Sequence, residues 1–319
     1  MIRKLLSLLH NKILIVSILI LIQLFVFFGI VFKLSEYFVA IYFILIALSF
    51  CMSIYIINKN DNPTYKLTWV LLIMAVPVFG GLIYLLFGGQ KVPKELRKRD
   101  SEALENYQEI SWQNTEIMEA LEAEDPLAHK QANYLWKNAI FPIYNHTETT
   151  YFPVGEEKFK AMVEELKKAE SFIFMEYFII APGVMWDTIL DILIDKVKQG
   201  VEVRVMYDDA GCITTLPQDY YLTLRRLGIQ AKVFNPIKPR LAMQMNNRDH
   251  RKILVIDGKV GMTGGINLAD EYINQKERFG HWKDCSVMIR GEAVWNLTLM
   301  FLQFWNYDEK EKDDVFSLS

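Results

Sequence analysis

Cysteine is scarce in this chain. Cys51, Cys212 and Cys285 are the only three in 319 residues, an odd number with no close-spaced pair. Neither a disulfide framework nor a thiolate zinc site is indicated, which fits a reducing compartment or indifference to redox state. Histidine is scarce too, at five residues, and no cluster of His, Cys and carboxylate has the spacing of metal ligands. His129 and His146 stand alone and read as ordinary surface or core residues, and no metal is expected. A positive balance is missing where a nucleic-acid binder would need it. From Tyr151 to Ser319 there are 22 Lys and Arg against 25 Asp and Glu, so nucleic acid is not expected as a partner. No internal repeat is present.

Apolar residues are abundant instead, 52% of the chain, and the reason is local. Ile13 to Phe32 is about twenty residues without a charge, enough to cross a bilayer as a helix. Phe38 to Ile57 is a second such run. Leu67 to Phe87 is a third, interrupted by Pro77 and Gly80-Gly81. The first run is too long for a cleaved signal peptide and lacks a small-residue cleavage pattern. Residues 1–90 therefore read as a membrane anchor with two to three transmembrane helices. Orientation meets a conflict. Arg3, Lys4 and Lys12 precede the first run, and Lys91, Lys94, Arg97, Lys98 and Arg99 follow the third. Three crossings put these flanks on opposite faces, which the positive-inside rule disfavours. The larger cluster argues for a cytoplasmic domain after it, and a re-entrant segment would let both flanks lie inside.

Residues 91–150 read as a charged, helical juxtamembrane connector, its basic start placed to lie on anionic headgroups. Past Tyr151, helix and strand alternate. Helices are expected at Phe159–Ala169, Met185–Lys198 and Gln218–Leu227, the last two ended by Gly200 and Gly228. Strands are expected at Phe172–Ile180, Val201–Tyr207, Ile229–Phe234 and Ser286–Ile289, with an apolar helix at Ala293–Trp305. The fold class is α/β, a layered domain over residues 151–319.

One stretch in that domain carries chemistry. Asn247 to Gly258 holds His-x-Lys-x4-Asp at His250, Lys252 and Asp257, and Gly264-Gly265-Ile266-Asn267 follows. Ile253 to Ile256 reads as a buried strand, Gly258 as its turn and Lys259 to Thr263 as the return of a hairpin. His250 and Lys252, two apart, then share a face where the strand begins. An imidazole beside a fixed ammonium suits an anionic phosphorus centre: Lys252 neutralises phosphate oxygens while His250 attacks or shuttles a proton. Asn267 adds an amide donor, and the glycines allow close backbone approach. Two other His-x-Lys pairs, at His10 and His281, lack the Asp and the glycines. Positive charge concentrates around the motif, with seven Lys and Arg against two Asp from Ala231 to Val260. The loop Asn235 to Asn247 mixes basic and apolar residues, suited either to dip into a lipid interface or to pack in the core.

This stretch resembles the HKD motif of the phospholipase D superfamily, and the wider sequence is similar to bacterial cardiolipin synthases. The matching pieces are residues 174–179, 203–209 and 263–272, and Arg278-Phe279-Gly280-His281-Trp282-Lys283-Asp284. Weaker similarity covers Leu67 to Gly88. The resemblance implies a phospholipase D-like half-domain and exchange of phosphodiesters through a phosphohistidine, with no metal or organic cofactor. It implies a membrane-bound phosphatidyltransferase that converts two phosphatidylglycerols to cardiolipin and glycerol. His250 would be nucleophile or general acid, and Asp284 the carboxylate that orients it. Asp257 is counted with the catalytic set although its side chain reads as structural, bonding backbone at the hairpin. Gly265 stands where many superfamily members have serine. Gly264, Gly265, Arg248 and Arg251 are expected to hold the substrate. Family members carry two HKD halves and this sequence carries one, so the second is expected from another chain or from a second copy. The alternatives are a homodimeric single-motif phosphodiesterase and a non-catalytic truncated membrane protein.

Overall fold

The computed structural model describes residues 38–88, 111–237 and 248–306, together with some positions between 20 and 29. The first apolar run is thus mostly outside the described residues. The basic cluster Lys91 to Arg99, most of the loop Asn235 to Asn247 and the charged C-terminal residues also lie outside them. The chain divides into two units near residue 92, and each is described by itself.

In the N-terminal unit, α1 (Phe38–Asn58), α2 (Pro63–Ala75) and α3 (Pro77–Phe87) follow one another. Among the described residues one helix is long and apolar enough to cross a membrane, Val39–Asn58. The third apolar run is two shorter helices and not one long helix. It breaks at Val76, where Pro77 cannot continue the hydrogen-bond ladder of the preceding helix. The two pieces fold back on each other. Tyr65 Oη near the start of α2 donates to Gly88 O beyond the end of α3 at 3.2 Å. The Trp69 and Tyr84 rings meet edge to face at 5.3 Å. A Cβ on Gly80 would lie 2.6 Å from Ile73 Cα, so only glycine permits this approach of the two backbones. Ile56, Ile73 and Tyr84 form the small core between the three helices.

The second unit opens with α4 (Thr115–Glu124) and α5 (Pro126–Ala139). Asn114 and Asp125 cap them, each accepting from the second and third amides of its helix. After them come β1 (Thr147–Phe152), α6 (Gly155–Leu166), β2 (Phe172–Tyr177), α7 (Val184–Lys198), β3 (Glu202–Asp208), α8 (Tyr220–Arg226) and β4 (Gln230–Phe234). The hairpin β5 (Ile253–Ile256) and β6 (Val260–Gly264), then β7 (Ser286–Gly291) and α9 (Val294–Trp305), complete it. The strands make one mixed seven-stranded sheet in the order β1-β7-β6-β5-β2-β3-β4. β2, β3 and β4 run parallel, and β5 turns antiparallel against β2. The polar strand β1 lies within what the sequence reads as connector, so the sheet begins at Thr147 and not after Tyr151.

Burial on both faces explains the apolar strands. Phe172 and Phe174 of β2 and Ile253 and Val255 of β5 point to α9, where Phe174 stacks on Phe301 at 4.8 Å. Ile173, Met175, Leu254 and Ile256 point to the opposite face and pack with Met162 of α6, Leu193 of α7 and Leu224 of α8. Burying each large side chain contributes roughly 1.5–3 kcal/mol. Helices α7 and α8 end at Gly200 and Gly228, whose φ of 90° and 86° supplies the left-handed turn.

Candidate active site

Strand register gathers the motif residues at one end of the sheet. Ile253 at the start of β5 pairs with Glu176 near the C-terminal end of β2, and also with Thr263 near the end of β6. Gly264 pairs with Ser286, the first residue of β7. His250 and Lys252 before β5, Gly265 and Asn267 after β6, and Asp284 before β7 therefore converge where parallel β2 and β3 end. That is where open α/β sheets place their ligands.

His250 is exposed, and its ring meets the Phe178 ring edge to face at 4.7 Å. Lys252 is 3% exposed; its Nζ donates to His250 O at 2.6 Å and lies 5.4 Å from the centre of the same Phe178 ring. The imidazole and the ammonium thus share one aromatic neighbour, as their spacing along the strand requires. Burial lowers the Lys252 pKa to about 8, against the opposing pull of Asp249 and Asp284, so the group is mainly charged at neutral pH. Phe178 is itself held. Cys212 Sγ accepts from Ile180 N at 3.2 Å and reaches Phe178 O at 3.5 Å.

Asp284 is partly buried, and its Oδ1 accepts from Cys285 N at 2.8 Å. Among the described residues no hydrogen bond joins its carboxylate to His250. What it does is electrostatic: it raises the pKa of both Lys252 and Lys158. A Cβ on Gly265 would run into this carboxylate. Glycine at that position is therefore the space in which Asp284 sits.

Four of the expected site residues have partners within the domain. Asp257 is far from His250: it lies beyond the opposite end of β5, roughly 17 Å from Lys252 at about 3.4 Å per residue. Its two carboxylate oxygens accept from the amides of Glu170, Ser171 and Phe172, each at 2.8 Å, the backbone bonding that its sequence reading expects, made at the far end of the strand from His250. Asn267 is 2% exposed and largely committed. Its Oδ1 accepts from Ile179 N at 2.9 Å and its Nδ2 donates to Tyr272 Oη at 2.8 Å. It ties the turn after β6 to the segment after β2, leaving one amide hydrogen uncommitted. Arg248 donates to Asn235 O at 2.8 Å and pairs with buried Asp208. Arg251 pairs with buried Glu176 and Asp249 and lies 3.7 Å from the Phe304 ring centre. Both arginines neutralise carboxylates inside the domain, so counting charges around the motif overstates what is left for a substrate.

Sequence reasoning also passed over groups that matter here. Glu176 is a lone carboxyl in an apolar strand, a visible signal. Burial pushes its pKa well above the usual carboxylate range, opposed by Arg251 and reinforced by Asp249. Glu176 Oε2 and Asp249 Oδ2 are both buried without a partner among the described residues. Lys158 is fully buried on the apolar stripe of α6 with Met162 and Leu166. Its Nζ donates to Ile266 O at 3.1 Å and sits 3.5 Å from Tyr177 Oη, beneath the turn that carries Gly265. Burial lowers its pKa to about 7.

Comparison with known proteins meets the same stretches. Residues 162–282 match the family model described as cardiolipin synthase, PLD-like domain, and residues 39–89 match the phospholipase D-nuclease N-terminal model. An uncharacterized protein of Streptococcus mutans is 47% identical over 262 residues, 81% of this chain and 56% of that protein. A cardiolipin synthase of Alkalihalophilus pseudofirmus is 39% identical over 82% of this chain and 52% of its own length. One of Geobacillus thermodenitrificans is 36% identical over 85% of this chain and 54% of its own. The chain spans about half the length of the curated relatives it matches. On these matches the chain belongs to the phospholipase D superfamily, alongside its bacterial cardiolipin synthases.

Proposed function

We propose that this chain contributes one HKD half of a membrane-bound phosphatidyltransferase, with phosphatidylglycerol as donor and acceptor. The observation that carries the reading is the exposed His250 ring and the Lys252 ammonium set against one Phe178 ring at the end of the sheet. A neutral ring nitrogen of His250 attacks the phosphorus of one phosphatidylglycerol, and the bond from phosphorus to the headgroup glycerol oxygen breaks. The leaving glycerol takes a proton from an acid on a second HKD half. The free headgroup hydroxyl of another phosphatidylglycerol then attacks the phosphohistidine and gives up its proton to that group. Cardiolipin and glycerol leave, and His250 is neutral again. Lys252 offsets the charge on the phosphate oxygens throughout, and Asp284 holds the lysine charged. The roles of His250 and the second half can also be exchanged, with His250 as the acid.

The second half comes from another chain, from a second copy or from sequence continuous with this one. Membrane attachment is through the N-terminal unit, and the basic cluster Lys91 to Arg99 supports a catalytic domain on the cytoplasmic face. The test is conversion of phosphatidylglycerol vesicles by the purified chain, alone and mixed with a chain carrying a second HKD half. Little product alone, restoration on mixing and loss in His250→Ala are expected. Robust synthesis by the chain at all dilutions would remove the half-site reading. Activity that falls on dilution would assign the complete site to two copies.

A further inference from the structure

We infer that residues 63–88 form a re-entrant helical hairpin that enters the bilayer and leaves it by the same face. This rests on the chain's being a membrane protein and not on the reaction proposed for it. Three rungs define the hairpin: Tyr65 with Gly88, Trp69 with Tyr84, and Ile73 with Gly80. Each rung joins residues progressively nearer Val76, so the two arms run antiparallel from one apex. The arms have 13 and 11 residues, about 20 Å and 17 Å at 1.5 Å per residue. Neither reaches across a hydrocarbon core of about 30 Å, whereas the 21 residues of α1 do.

Polarity follows the same geometry. The open end of the hairpin carries polar groups: Asn62 caps α2, Lys59 pairs with Asp61, and Lys66 Nζ donates to Ile57 O and Lys59 O. The arms and apex carry Leu67, Leu71, Met74, Val76, Leu82 and Leu85, all exposed. An apolar outer surface of this depth fits lipid hydrocarbon. Val76 N donates to Leu72 O at 3.0 Å and Gly80 N to Val76 O at 2.7 Å, while Pro77 has no amide to leave bare. α1 is antiparallel to the first arm, with Met52 at Gly81 and Ile56 against Ile73 and Tyr84.

The hairpin removes the conflict in the charges. With α1 crossing once and the hairpin not crossing, Lys59, Lys66 and the cluster Lys91 to Arg99 fall on one face. If the run Ile13 to Phe32 crosses in the other direction, Arg3, Lys4 and Lys12 join them, and Lys33 alone of the basic residues up to Arg99 falls on the other face.

Single cysteines read this directly in the full chain, on a Cys51→Ala, Cys285→Ser background in which Cys212 is buried. Asn60→Cys, Val76→Cys and Lys91→Cys are treated with a membrane-impermeant maleimide in right-side-out and inside-out vesicles. Positions 60 and 91 should label only in inside-out vesicles, and position 76 in neither until detergent is added. Labelling of 60 and 91 from opposite faces overturns the hairpin, and labelling of 76 from either face overturns its seating in hydrocarbon. Protease sites inserted at 60 and 91 give a thiol-free version: cleavage of both from one face supports the hairpin, and cleavage from opposite faces overturns it.

Discussion

Lys252 shows how a residue's neighbourhood sets its working range. Its ammonium is held at a pKa of about 8 by burial, with Asp249 and Asp284 opposing. The charge is therefore present at pH 7 and fades as pH rises through 8. In an enzyme completed with a second HKD half, KM for phosphatidylglycerol should rise on the order of tenfold between pH 7 and 9.5. Lys252→Arg keeps its charge over this range and should flatten the rise. Asp284→Asn removes a group that favours the charged lysine, so the rise should begin at lower pH. A midpoint that does not move in Asp284→Asn would separate the carboxylate from the lysine. The motif lysine and histidine were legible because their spacing alone puts them on one strand face. The partners of Arg248 and Arg251 were not, since Asp208 and Glu176 stand 40 and 75 residues away and only the sheet brings them together.

At the level of elements, the β5–β6 hairpin is fastened by Asp257, whose φ of 52° also places it in the left-handed region. Removing its carboxylate leaves three amides at the start of β2 without that acceptor. Asp257→Ala should cost about 2–4 kcal/mol, seen as a lower denaturation midpoint, while turnover per folded molecule stays unchanged. A fall in turnover at full folding would return Asp257 to the catalytic set. Most elements of this domain were readable within two or three residues, because apolar runs ended by Gly200, Gly228 and Gly258 carry their own boundaries. β1 was not, since Thr-Glu-Thr-Thr-Tyr-Phe is polar and gains its partner only from β7. The α2–α3 hairpin was half readable: Pro77 announces a break, but the direction of the chain after it depends on the contact of Gly80 with Ile73.

For the domain as a whole, Lys158 makes stability depend on pH. Folded, its pKa is about 7 against an ordinary 10.5, so between these values the unfolded chain binds a proton that the folded chain lacks. Stability therefore rises with pH across that window, by at most about 1.4 kcal/mol per pH unit, and below about 7 the full cost of burying the charge is present. Denaturation midpoints of the full chain in detergent should increase from pH 7 to 9.5, and Lys158→Met should lose that increment. An equal increment in the variant would show that other groups cause it. The order in which the sheet is completed has a further consequence during synthesis. β1 pairs with β7, Thr147 opposite Gly291 and Phe152 opposite Ser286, so the first strand made waits for nearly the last. At about 5–20 residues per second on the ribosome, that wait is roughly 7–30 s, during which β1 has no strand beside it. A sticky apolar strand would recruit a neighbouring nascent chain in that interval. The four threonine and glutamate side chains that hid β1 in the sequence keep the waiting strand in solution.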